Sequence, residues 1–345
     1  MVNRIGFIGC TARSTYAYDG QTVSTRMWEG HLRNIPANQE LIVVDTFNPR
    51  KRFITIIIDT IKCIFASSHI VFMLAENGMG VYFPLLYLAK KMHKKVFHRV
   101  VGGDLVKLTK ANPKWVKYLN SFDVNWVQSP NMVKGLKELG VNNAVFLENF
   151  RDYDDVDLDL QNYNKGTFCT FCRVCREKGI TIAINAVTDL AKERFPDIHL
   201  DIYGLIDDSY KEEFEHLLEE NSEYVTYKGC IESQKALSVL KDYYFHLFPS
   251  TWVGEGFPGT IIDCYNAAVP TVASDWAYNS EYIIEGKTGL LYDWNNPEML
   301  KERIVDAMLM PTEEYVQMKN NNLVEAKKYT SEYVMGKVSK FITER

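Results

Sequence analysis

The chain contains no run of 18 uncharged apolar residues. Its longest apolar stretch, FITIIIDTIKCIF (53–65), is interrupted by Asp59 and Lys62 and is too short to span a bilayer. The start, MVNRIGFIGC, has neither the apolar region nor the cleavage site of a secretory signal. Cysteine is sparse, with seven in 345 residues, an odd number lying mostly inside apolar strings. That pattern fits reduced, buried thiols better than a disulfide framework, so a cytoplasmic protein is expected. None of the histidines stands at metal-ligand spacing from the cysteines, and no local Ser/His/Asp or Cys/His signature occurs. Aromatic ribonucleoprotein motifs are missing as well. No metal, cofactor or nucleic acid is therefore expected. The one suggestive cysteine run, CTFCRVC (169–175), has C-x2-C-x2-C spacing. Cys169 and Cys172 lie in a strand-like segment, where side chains three apart face opposite ways, so they cannot converge on one cluster.

The chain does carry a charge asymmetry. Residues 1–150 hold 19 Lys and Arg against 10 Asp and Glu, while the remainder holds 20 against 34. A basic half joined to an acidic half suggests that the first half meets an anionic partner. Basic and apolar residues adjoin in RKRFITIII (50–58) and LAKKMHKKVF (88–97), a mixture suited to an anionic membrane surface. An ordinary solvated basic face is the alternative.

Apolar strand-like runs alternate with helical patterns along the whole length. In the first half they are 4–10, 41–46, 69–75, 95–101, 124–129 and 144–149. In the second they are 167–172, 198–204, 224–229, 244–250, 270–274 and 288–293. This alternation predicts βαβ units and parallel sheets covered on both faces. Ile180, Ala183, Ile184, Val187, Leu190 and Ala191 form a 3.6-residue stripe that should end before Pro196. The acidic segment 150–165 reads as a linker, and its Asp-x-Asp pairs (152/154, 155/157, 157/159) read as solvated. The resulting architecture is α/β, with two Rossmann-like parallel-sheet domains facing a cleft. An acceptor domain spans 1–149 and a nucleotide-sugar domain spans 166–329. Helices close the chain, and 330–345 is a terminal helix that could return to the first domain.

Chemistry concentrates in FPSTWVGEGFPGTIIDCYNAAVPTVASD (248–275). Here a strand is followed by a turn with Gly254, Gly256 and Gly259, and a helix starts near Pro258, a residue suited to a first helical turn. Backbone N–H groups and the positive end of the helix dipole make such a turn a candidate diphosphate site. Glu255 lies in the loop, and Asp263 sits one turn into the helix between Ile262 and Cys264. A carboxylate in such apolar company needs a partner, and ribose hydroxyls would serve. Arg173 and Lys178, after the domain's first strand, supply the compensating positive charge. GEGFPG also satisfies G-x-G-x-x-G, with Asp275 about 20 residues on, which makes an NAD-linked oxidoreductase the rival reading. Two features weigh against it: three strands of the same domain precede the motif, and a dinucleotide loop has no use for Glu255.

The segment CRVCREKGITIAINA resembles the G-R-x4-K-G block of retaining GT-B glycosyltransferases of the group 1 type. The blocks LDIYG, VTYKGCI, PSTWVGEGFPGTIIDCYNAAVPTVASD and EYIIEGKTGLLYD extend the likeness over roughly 166–295. DGQTV (19–23), VVGGDL (100–105) and residues 127–150 extend it into the first half, with bacterial capsule and exopolysaccharide enzymes nearest in flavour. The resemblance implies transfer of a sugar, with retention and without a metal, from a nucleoside-diphosphate sugar, preferably UDP-linked. The acceptor would be a saccharide or polyprenyl-linked saccharide in cell-surface polysaccharide synthesis, which would place the chain at the inner face of the plasma membrane. It implies that Arg173 and Lys178 stabilise the leaving diphosphate, that Glu255 holds donor-sugar hydroxyls and that Asp263, in place of a second Glu, holds the ribose. Gly20, Gly204, Gly254, Gly256, Phe257, Pro258 and Gly259 would line the donor site. Two departures stand out: Cys172 replaces the glycine before the arginine, and His98 lies inside a strand, so no catalytic histidine is assigned. A non-catalytic nucleotide-sugar-binding subunit is the non-enzymatic alternative.

Overall fold

A computed structural model of the chain describes residues 4–13, 19–35, 40–74, 79–153, 156–161 and 163–343. Twelve strands lie among them, each within or beside a run expected from the apolar patterning. They are β1 (Arg4–Gly9), β2 (Glu40–Asp45), β3 (His69–Met73), β4 (Lys95–Arg99), β5 (Val124–Val127), β6 (Ala144–Phe146), β7 (Thr167–Phe171), β8 (His199–Tyr203), β9 (Val225–Gly229), β10 (Phe245–Phe248), β11 (Thr271–Ser274) and β12 (Gly289–Tyr292). They build two six-stranded sheets, ordered β2-β1-β3-β4-β5-β6 and β12-β11-β10-β7-β8-β9, with every ladder parallel. Strands covered on both faces need apolar residues without alternation. Accordingly β5, β10 and β11 are buried at every position.

The chain divides into two compact units, Met1–Phe150 with Thr330–Arg345, and Arg151–Tyr329. In the first unit Trp28, Phe97, Trp126 and Phe150 share a core with Val334, Met335, Val338 and Ile342 from the helix Ser331–Thr343. The last helix of the chain thus packs on the first sheet. In the second unit the helix Ile180–Glu193 buries the stripe Ile180, Ala183, Ile184, Val187, Leu190 and Ala191 against its sheet. Each large aliphatic side chain so buried contributes about 1.5–3 kcal/mol. The helix stops at Glu193, short of Pro196.

Each sheet reverses its winding once. In the first the reversal falls between β1 and β3, and in the second between β7 and β10. Ligands of doubly wound sheets sit outside the carboxyl ends of the strands at such a point. The second sheet therefore singles out the loops after β7 and β10, which are the loops that carry Lys178 and Glu255. Within the segment expected as a linker, Phe150 belongs to the first core and Arg151 is buried in the second unit. Asp154 and Asp155, part of the Asp-x-Asp pattern, lie outside the described residues.

Candidate functional site

The loops after β7 and β10 are locked together by backbone contacts. Gly179 has φ +72°, and a β-carbon there would lie 2.2 Å from the Pro249 carbonyl oxygen. Only glycine meets both conditions. The amide of Thr251 donates to the Glu177 carbonyl at 2.8 Å. This lock delivers Lys178, at the end of a 3-10 turn (Arg176–Lys178), to Glu255. Lys178 Nζ lies 2.5 Å from Glu255 Oε2, and Ser250 Oγ donates to the same oxygen at 2.7 Å. The two side chains are 14% and 8% exposed. Lys178 Nζ also stands 5.3 Å above the Phe248 ring, a cation–π contact. A carboxylate beside an incoming diphosphate would ordinarily repel it. Here Lys178 compensates Glu255 before any ligand arrives. Arg173, one residue beyond Cys172 at the end of β7, is exposed. The Ser209 hydroxyl and amide hold the Asp207 carboxyl below its usual range, with the Arg173 charge assisting.

The second part of the site is the start of the helix Gly259–Asn266. Pro258 occupies the cap position and no side chain caps the first turn; the Ile261 amide donates to the Pro258 carbonyl at 3.1 Å, and the helix dipole favours an anion at this end. The sequence assigned Gly259 to close approach by a ligand. The group pressed against it is Arg151: a β-carbon at 259 would fall 1.5 Å from the guanidinium. Arg151 Nε is 3.3 Å from Asp263 Oδ1, and both side chains are 6% exposed. Tyr153 Oη donates to the same carboxylate oxygen at 2.7 Å. Burial pushes the Asp263 carboxyl up and the Arg151 charge pulls it back. The Tyr153 phenol is pushed well up, first by burial and then by Asp263, so it remains a donor. The partner that a buried Asp263 needs is therefore found within the chain. Arg151 and Tyr153 escaped the sequence reading, although a buried acid and a glycine facing the same spot did signal that a partner was required.

The remaining expected positions scatter more widely. Gly256, Phe257 and Pro258 are buried in the turn after β10, with Gly254 half-buried. The Phe257 ring stacks on Tyr282 at 3.8 Å between centroids, which fixes the turn. Gly204 has φ +140°, and a β-carbon there would lie 1.7 Å from the Cys172 carbonyl oxygen. It lets the ends of β7 and β8 touch. Gly20 belongs to the first unit, where it opens the helix Gly20–Arg33 behind the cap residue Asp19, and nothing lies within 4 Å of its β-carbon position. Cys172 is pushed up to about 12 by burial, so it is a packing thiol and not a nucleophile. Among the described residues no group of three or more His, Cys, Asp and Glu is placed to hold a metal ion. His98 on β4 is buried against Asn125 (2.9 Å), and burial pushes it down to about 4. It is a packed neutral imidazole.

Residues 159–324 match the family model described as Glycosyl transferases group 1. An uncharacterized glycosyltransferase of Methanocaldococcus jannaschii is 28% identical over 148 residues, which make up 41% of this chain. That stretch spans 36% of the relative, so the likeness covers about a third of its length. In structure, the chain is similar to HepE of Anabaena in complex with UDP and glucose (TM-score 0.74, 12% identity, 99% of this chain and 100% of that one). It is also similar to a sucrose-phosphate synthase from Thermosynechococcus elongatus (TM-score 0.73, 15% identity, 99% of both chains). The fold is accordingly that of the GT-B class, two Rossmann-like domains with six-stranded parallel sheets. The resemblance to group 1 glycosyltransferases read from the sequence is borne out.

Proposed function

We propose that the chain transfers a sugar from a nucleoside diphosphate, UDP in preference to GDP, to a saccharide or lipid-linked saccharide acceptor, with retention at the anomeric carbon. The carrying observation is the Lys178–Glu255–Ser250 cluster at the β7/β10 reversal, beside the uncapped helix start at Gly259. An anion-favouring helix end, a fixed ammonium and a compensated carboxylate are what a donor with charged diphosphate and neutral hydroxyls requires. Arg173 and Lys178 stabilise the diphosphate as the sugar–phosphate bond breaks. Glu255, its charge already balanced, accepts donor hydroxyls. Asp263 acts by holding Arg151 at the helix start, in place of the ribose contact expected for it. The UDP in the HepE complex supports this reading. Against the oxidoreductase rival, the glycine loop follows β10, the fourth strand of its sheet, whereas a dinucleotide loop follows the first.

The first unit takes the acceptor in this reading, near an anionic membrane face in cell-surface polysaccharide synthesis. No helix among the described residues is long and apolar enough to cross a membrane. The helix Pro49–Ala66 instead exposes Phe53, Ile54, Ile58 and Phe65 next to Arg50, Lys51, Arg52 and Lys62. This is the mixture of an interfacial helix. Thermal unfolding with UDP, GDP and NADH tests the core of the proposal. A nucleoside diphosphate at a hundred times its Kd should add about 2.7 kcal/mol. Stabilisation by NADH alone would refute the reading. A nucleotide-sugar donor that binds but is neither hydrolysed nor transferred would point to the non-catalytic subunit.

A further inference from the structure

Each unit holds three of the six tryptophans of the chain, and the half-buried Trp115 of the first packs edge-on against Phe83. Trp28 and Trp126 are fully buried in the first unit. The three of the second unit, Trp252, Trp276 and Trp294, instead follow the carboxyl ends of β10, β11 and β12, three neighbouring strands on one side of the sheet. Trp252 and Trp294 are 37% and 40% exposed. Trp276 meets Trp294 edge to face with centroids 4.6 Å apart, and its Nε1 donates to the Trp252 carbonyl at 2.8 Å. That carbonyl also accepts the amide of Glu255 at 3.1 Å. One backbone oxygen therefore couples the indoles to the loop that carries Glu255.

Exposed apolar side chains that cluster, unlike scattered ones, mark binding surfaces. The neighbourhood indicates what that is. Asp275 and Asp293 precede Trp276 and Trp294, and both are exposed. The Asp275 amide donates to the Tyr292 carbonyl at 2.7 Å, which ties the ends of β11 and β12 together. Flat apolar rings flanked by carboxylate acceptors suit a sugar ring, whose C–H face lies on the indole while its hydroxyls donate to the acids. The acids disfavour a phosphate-bearing ligand at the same spot.

We infer that Trp252, Trp276 and Trp294 form a binding subsite for a neutral saccharide, contiguous with Glu255 and distinct from the diphosphate end of the site. Under the function proposed above, it holds neutral sugar units of a saccharide substrate. That last step rests on the proposed function, whereas saccharide binding itself does not.

The test is intrinsic tryptophan fluorescence of the full chain titrated with neutral oligomers of glucose and of N-acetylglucosamine, beside a parallel UDP titration by thermal shift. At least one oligomer should change the emission. Trp294→Ala should weaken that response about five- to tenfold, Trp294→Phe should retain most of it, and neither should alter UDP binding. Both variants should stay folded, Trp294→Ala losing no more than the edge-to-face contact with Trp276, and the parallel UDP titration checks this. Saccharide titrations unchanged in Trp294→Ala would overturn the inference. So would a wild type whose emission responds to UDP but to none of the oligomers. A chain that binds oligomers through Trp294 but no nucleoside diphosphate would keep the subsite and defeat the proposed function.

Discussion

The two sheets are built alike, and each reverses its winding once, but the strand ends at the two reversals use their charges differently. After β1, among the described residues, Asp45 and Arg26 serve the backbone, while Arg13 pairs with Glu29. Asp45 accepts the amides of Thr11 (3.0 Å), Ala12 (3.2 Å), Arg13 (3.4 Å) and Phe47 (3.0 Å), and Arg26 donates to the carbonyls of Thr11 and Ala12 at 2.7 Å. These bonds hold a turn in which Ala12 has φ +45°, a strained value for a residue with a side chain. After β7 and β10 the turns are held by glycine and by backbone contacts, so the heads of Lys178 and Glu255 pair with each other at the reversal. A turn fixed by glycine leaves Lys178 and Glu255 to pair with each other, whereas Asp45 and Arg26 are engaged by the backbone that they fix.

Substitutions at each reversal can break that contrast. The largest effect on turnover is expected in the second unit. Lys178→Ala or Glu255→Ala should lower kcat by about 10²–10³-fold. Glu255→Ala should spare UDP affinity and Arg173→Ala should weaken it, as read from donor kinetics together with UDP titration. Wild-type turnover in either Lys178→Ala or Glu255→Ala would remove the site. Next in size is Gly204→Ala, which places a β-carbon against the Cys172 carbonyl at positive φ. It should destabilise by more than about 3 kcal/mol, measured by urea unfolding. In the first unit, Asp45→Ala should cost about 2 kcal/mol and leave the thermal shift with UDP intact. A lost UDP response in Asp45→Ala would show that the two reversals are not independent.

A smaller effect follows from one buried histidine in each unit. His98 is pushed down to about 4 and His246 to about 3, both first by burial, from 6.5. A depressed imidazole is neutral in the folded state and takes a proton in the unfolded state. Stability is therefore full above pH 6.5 and falls as the pH drops towards 4 for His98 and 3 for His246. Each histidine contributes about 1.4 kcal/mol per pH unit within its window. Urea unfolding at pH 7, 6 and 5 should show this decline, and His98→Asn and His246→Asn should each flatten it. A slope unchanged in both variants would mean that the imidazoles are not the proton sink.

Much of this was legible beforehand, and the reason is local. β-Branched and aromatic runs mark buried parallel strands because both faces need apolar cover. The stripe from Ile180 to Ala191 marks its helix for the same reason. Arg173, Lys178 and Glu255 could be found because glycine and charge in short loops after strands have few other uses. The residues that escaped notice are those whose meaning depends on distant partners. Asp263 seemed to need a ribose, but Tyr153, 110 positions away, satisfies it. Gly259 seemed to await a ligand, but Arg151 fills the space. No periodicity connects three tryptophans at 252, 276 and 294.

The sequence by itself determined the strands, the helix that follows β7, and the residue types in the loops after β7 and β10, because backbone preference and burial act over a few neighbouring residues. Only the tertiary structure decided the order of the strands, and with it that the loops after β7 and β10 flank the reversal. It alone paired Lys178 with Glu255 and Arg151 with Asp263, and grouped the tryptophans along one sheet edge. Those outcomes depend on which strands become neighbours, and strand neighbours are chosen by the packing of the whole sheet.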